Sequence, residues 1–107
     1  IVREEDGLAK SSRNTYLSSE ERKAATILYK AIQEGKQCIN RGASADSIIN
    51  VMTNIVNTEP LAKIDYISVV DAITMQPVQE ITAPVLVAMA IYIGSTRLID
   101  NFSFDAN

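Results

Sequence analysis

From Ser18 onward the apolar positions recur every three or four residues. Ser18-Ser19-Glu20-Glu21 has the S-x-x-E pattern of a helix start. Ala24, Ile27, Leu28, Ala31, Ile32, Cys38 and Ile39 then fall on one helical face, and Arg41-Gly42 supplies a cationic last turn and a glycine stop. The spacing predicts one helix over about residues 19 to 40. Ser44 is placed to cap a second, with Ile48, Val51, Met52, Ile55 and Val56 as its buried face and Pro60 beyond its end. After Pro60 the period shifts from helical to two. Lys63 to Asp71 reads as a strand. Residues 72 to 84, with Pro77 and Pro84, read as a connection holding a short extended piece around Val78 to Ile81. Val85 to Ile93 is continuously apolar, which predicts a central strand covered on both faces. Gly94-Ser95 suits a two-residue hairpin turn with glycine first, and Thr96 to Asp100 returns as the partner strand. The tail from Phe102 is expected either to fray or to dock through Phe102 and Phe104. Helices followed by strands predict an α+β domain, with two main helices on one face of a small antiparallel sheet of about three strands.

Composition narrows the chemistry. The chain has 107 residues, enough for one domain with its own core, and 47% hydrophobic against 21% charged residues is a globular balance. A net charge of −3 argues against a broad nucleic-acid surface. With no histidine, the chain has no His base, no Ser-His-Asp triad and no His metal site, and its single cysteine makes a poor metal ligand set. No metal ligands are assigned. Cys38 sits on the apolar side of the first helix and reads as a structural thiol in a reduced, intracellular protein. Met52 and Met75 read as gap-filling or loop residues. The nine residues from Val85 to Ile93 are too few to cross a bilayer as a helix. The chain opens on Ile1 rather than methionine, which reads as either a processed chain or a piece of something longer.

The first eighteen residues have no sustained apolar period. Gly7 permits a tight turn. Ser11, Ser12, Arg13 and Asn14 follow, and hydroxyls, free backbone N–H groups and a guanidinium fork suit phosphate oxygens. The same tetrapeptide also suits a solvated loop whose serines cap the next turn, and spacing alone does not choose. Glu4, Glu5 and Asp6 are expected to face solvent or Arg3. Mobility is expected over about residues 1 to 16.

Three blocks carry a family resemblance. Val2 to Leu17, VREEDGLAKSSRNTYL, Ile64 to Asp71, IDYISVVD, and Ile93 to Asn101, IGSTRLIDN, occur in that order. Together they resemble the C-terminal domain of the pantothenate synthetases (pantoate–β-alanine ligases), over nearly the whole chain. The resemblance implies residues 1–17 as an ATP-binding hook and interdomain segment, 18–60 as a helical part and 61–107 as a sheet part of a lid. The N-terminal Rossmann-type domain, with the family's H-x-G-H motif, is absent. It implies a cytoplasmic ligase that uses ATP and Mg²⁺ to turn pantoate into pantoyl adenylate, then joins β-alanine and releases AMP and pyrophosphate. By the same resemblance Ser11, Ser12 and Arg13 hold the ATP phosphates, with Arg13 stabilising charge in the transition state. Val2 meets adenine through its backbone. Lys10 is a further ATP-contacting position, usually Met or Leu in the family, and either its backbone or its side chain serves. The implied partners are ATP, pantoate, β-alanine, the protein's own N-terminal domain and a second copy in the full-length homodimer. The chain alone is expected to be monomeric and inactive. Two or three charged hydrogen bonds of about 1.5–3 kcal/mol each, set against at least about 4 kcal/mol of immobilisation, leave ATP binding at about millimolar or weaker. Two alternatives stand beside this reading. One is an independent binding or dimerising module using Ile67, Val69, Leu98 and Ile99. The other is a piece of a related class I synthetase, against which the IGSTRLIDN block speaks.

Overall fold

A computed structural model describes residues 2–82 and 84–105; Ile1, Ala83 and the last two positions lie outside the described residues. The elements run in chain order as a 3₁₀ turn (Ser12–Tyr16), α1 (Ser19–Ala24), α2 (Ile27–Asn40), α3 (Ala45–Val56), β1 (Ala62–Asp71), β2 (Val85–Ile93) and β3 (Thr96–Phe104). The sheet order is β1-β2-β3, antiparallel throughout, so the continuously apolar segment is central as its composition predicts.

The expected single helix over 19 to 40 is two helices. Ser18 caps α1 with a full capping box: its side chain accepts from the Glu21 N–H while the Glu21 carboxylate accepts from the Ser18 N–H. The ladder then tightens at Ala25-Thr26. The Thr26 hydroxyl donates to the Lys23 carbonyl at 2.7 Å, and the Thr26 and Leu28 N–H groups bond three residues back rather than four. A hydroxyl that competes for a backbone carbonyl breaks the regular period without breaking the amphipathic face. Ser44 caps α3 as expected, by accepting from the Ser47 N–H.

Alternation divides the sheet into two faces. Val85, Val87, Met89, Ile91 and Ile93 of β2, Leu98 and Phe102 of β3 and Val69 of β1 pack against Leu28, Ile32, Ile48, Met52 and Val56 of the helices. The opposite face of β2 carries Leu86, Ala88 and Tyr92, which are only half-buried, so the strand is covered more fully on the helix side than on the other. The tail is docked: β3 runs to Phe104, in register with Val85, and Phe102 is buried. Cys38 is half-buried against the core rather than fully enclosed. Val78 to Ile81 forms no strand. Pro77 makes a single bridge to Val70, the Gln79 carbonyl accepts from the Ala45 N–H, and Val78 and Ile81 pack on the core.

Candidate functional site

Residues 2 to 10 double back on themselves as a small hook. The Glu4 N–H donates to Leu8 O at 2.7 Å, the Lys10 N–H donates to Val2 O at 2.8 Å, and Arg3 and Ala9 pair as a bridge. Gly7 closes the turn at φ +94°, and a Cβ there would run into the Tyr29 ring. Leu8, 2% exposed, plugs into the core. These contacts tie residues 2 to 10 to one another and to the core.

The tie is mainly electrostatic. Arg3 donates to both carboxylate oxygens of Asp100 on β3, at 2.7 and 3.0 Å, and also to the Gly7 carbonyl at 2.9 Å. Its guanidinium lies 5.0 Å from the Tyr29 ring centroid. Asp100 is the one charged side chain fully buried among the described residues, and the hydrogen bond to it raises the Arg3 pKa above its ordinary value. Of the neighbouring acids, Glu5 and Asp6 are exposed, as expected, and Asp6 adds a partner not foreseen in the sequence. Asp6 turns to Arg22, at 2.7 and 3.0 Å, instead of Arg3, and that pairing lowers its pKa.

The hook delivers the chain to the 3₁₀ turn at the rim of a cleft of about 450 Å³ beside β3. Ser11 caps this turn, its hydroxyl oxygen accepting from the Arg13 N–H at 3.1 Å. Asn14 donates from Nδ2 to the Ala9 carbonyl at 3.1 Å, while its Oδ1 is buried without a partner among the described residues. Arg13 reaches across to donate to the Arg97 carbonyl at 3.3 Å, which leaves most of its fork available. Lys10, Ser11, Arg13, Asn14, Arg97 and Asn101 supply the polar lining and no carboxylate joins them, although the chain as a whole is net acidic. Of the residues singled out in the sequence, Lys10, Ser11 and Arg13 line this cleft together. Ser12 is exposed on the turn outside it, and Val2 is 71% exposed.

Arg97 was not singled out by sequence reasoning. It lies within IGSTRLIDN, one residue after the first position of β3, opposite Tyr92. Its Nε donates to Asp65 Oδ2 at 3.0 Å, and its guanidinium lies 5.9 Å from the Tyr66 ring centroid. The bond to Asp65 raises the Arg97 pKa. The available signal was a cation two residues past a two-residue turn, which places it at the end of the hairpin nearest the 3₁₀ turn.

The donor set is cationic nitrogen, amide and hydroxyl, which suits phosphate oxygens rather than a hard cation. A family profile described as pantoate-beta-alanine ligase matches residues 1–103. The chain is 58% identical over 105 residues to a pantothenate synthetase of Ruminiclostridium cellulolyticum, and 55% identical to one of Clostridium botulinum strain Loch Maree. Each alignment covers 97% of this chain but 37% of the relative, so the chain spans little more than a third of the length of these proteins. The crystal structure of a pantothenate synthetase from Thermus thermophilus superposes with a TM-score of 0.88 at 37% identity, covering 94% of this chain and 37% of that one. A pantoate-beta-alanine ligase of Francisella tularensis, complexed with beta-gamma ATP and beta-alanine, matches with a TM-score of 0.53 at 27% identity over 94% of this chain and 30% of that one. The chain belongs to the pantoate-beta-alanine ligase family.

Proposed function

We propose that the chain is the C-terminal lid of an ATP-dependent ligase that condenses pantoate with β-alanine through pantoyl adenylate, and that the hook and the edge of β3 form its ATP-phosphate site. The observation that carries this reading is the acid-free cleft in which Lys10, Ser11 and Arg13 meet. Adenylation moves negative charge onto the α-phosphate and the leaving pyrophosphate. A guanidinium already positioned there stabilises that charge without transferring a proton. Arg13 is assigned this role, with the Ser11 and Ser12 hydroxyls donating to phosphate oxygens. The Val2 backbone meets the adenine; its carbonyl already accepts from Lys10 N–H and keeps a second lone pair. That same bond ties the Lys10 backbone to the hook, so the Lys10 side chain is the part left to reach a phosphate. Mg²⁺ travels with the ATP phosphates, and its protein ligands lie in the remainder of the enzyme. Burying the acyl adenylate under the hook keeps water from it.

Steady-state kinetics of the full-length protein test this. Arg13→Ala is expected to lower kcat/KM for ATP by about a hundredfold or more, the usual effect of removing one transition-state donor. Unchanged kinetics would remove Arg13 from the site. The chain alone, titrated with Mg-ATP and followed by amide NMR, is expected to show non-saturating shifts confined to Val2 and Lys10 to Asn14. Saturation well below millimolar would instead favour an independent nucleotide-binding module.

A further inference from the structure

We propose that Arg97 is a second phosphate-binding guanidinium of this site, directed at the distal phosphates, and that a β-bulge in β1 exists to hold it. The inference rests on the reading of the cleft as an ATP site. In the β1–β2 register Ile64 opposes Ile91 and Tyr66 opposes Ala90, so Asp65 is the extra residue of a bulge. Regular alternation would send Asp65 and Tyr66 to opposite faces. The bulge lets both reach Arg97 from across the central strand, one through its carboxylate and the other through its ring.

Asp65 takes Nε, and the two terminal nitrogens of Arg97 have no acceptor among the described residues. A guanidinium pinned at that edge presents two parallel N–H donors, the geometry that matches two oxygens of one phosphate. Arg13 donates to the backbone carbonyl of this same residue, which brings the two cations to one place from two elements. Arg97 also lines a neighbouring hollow with Arg13, Ser95 and Thr96, away from Val2 and Lys10. Arg13 and Arg97 line both the cleft and this hollow, so with the adenine at Val2 the hollow is where the β- and γ-phosphates would extend. A polyphosphate spanning both guanidiniums would hold the hook to the rigid sheet, whereas AMP would reach only the hook.

Calorimetric titration of full-length wild type, Arg97→Ala, Arg97→Lys, Asp65→Asn and Arg13→Ala with ATP, inorganic pyrophosphate and AMP tests the assignment. Arg97→Ala is expected to weaken ATP and pyrophosphate at least about tenfold and to leave AMP within about twofold. Arg97→Lys should recover only part of the loss, because a point charge lacks the fork. Asp65→Asn should fall between wild type and Arg97→Ala. If Arg97→Ala binds ATP as wild type does while Arg13→Ala does not, the ATP site stands and this inference fails. If neither variant changes ATP affinity, both readings fail. The Arg97–Asp65 pair is exposed, so Arg97→Ala is expected to fold. Should it unfold, wild-type ATP affinity in Asp65→Asn overturns the proposal.

Discussion

At the scale of single residues, Arg3 and Asp100 decide most. Their side chains are 20% and 1% exposed, so the two truncations are not equivalent. Asp100→Ala frees an arginine that can turn to water. Arg3→Ala strands a carboxylate that cannot. Breaking a buried pair from one side costs about 3–5 kcal/mol. Arg3→Ala is therefore expected to lie in that range and Asp100→Ala clearly below it, as read by urea denaturation of both variants; equal losses would mean that Asp100 rehydrates. Neither residue was visible as a pair in the sequence. Asp100 reads as a polar interruption in an edge strand and Arg3 as one charge in an acidic run. Only the register that turns Asp100 inward beside Phe102 makes them meet. Arg97 was missed for a related reason: its partners come from a bulge, and a bulge leaves no mark in hydrophobic period. Ser11 and Arg13 stood out as candidates because a hydroxyl and a guanidinium lie two positions apart, whereas Lys10 was named only through the family resemblance.

At the scale of elements, period and punctuation carried the reading. The three strands, their antiparallel order and the α3 cap follow from alternation, the Gly94-Ser95 turn and Ser44. Gly94 has φ +61°, and glycine first with the following residue at negative φ is the turn the sequence predicts. The break between α1 and α2 was not legible, because Thr26 leaves the apolar face continuous while its hydroxyl redirects the backbone bonding. Ser18→Ala removes one half of a capping box on a helix of six residues. It is expected to cost about 1 kcal/mol and to lower Tm by several degrees. Hydrogen exchange should quicken over Glu21 to Ala25 and stay unchanged in β2. Faster exchange across both helices would mean that α1 and α2 melt as one unit.

The whole molecule reports its charges through pH. With no histidine, no imidazole titrates in the neutral range. Asp6 is held below its ordinary pKa by Arg22, and Asp71 by the N–H groups of Thr74 and Ile73. A carboxylate with a depressed folded pKa stabilises the fold fully above its unfolded value, near 3.8, and loses that contribution as pH falls through the folded one. Tm is therefore expected to show no carboxylate-driven fall from pH 7 to about 5 and to decline below about 4. Asp6→Asn should make that decline shallower, and an unaltered acid limb would show that the Asp6–Arg22 pair contributes nothing to it.

The Arg3–Asp100 tie also orders events in time. Its two residues are 97 positions apart, and a ribosome adds residues one by one. The hook is made before the strand that holds it, so Arg3 waits through the synthesis of both long helices and two strands before its partner emerges. The cleft beside β3 is thus one of the last parts of the chain to form, and a nascent chain halted before β3 carries the S-S-R-N sequence without it.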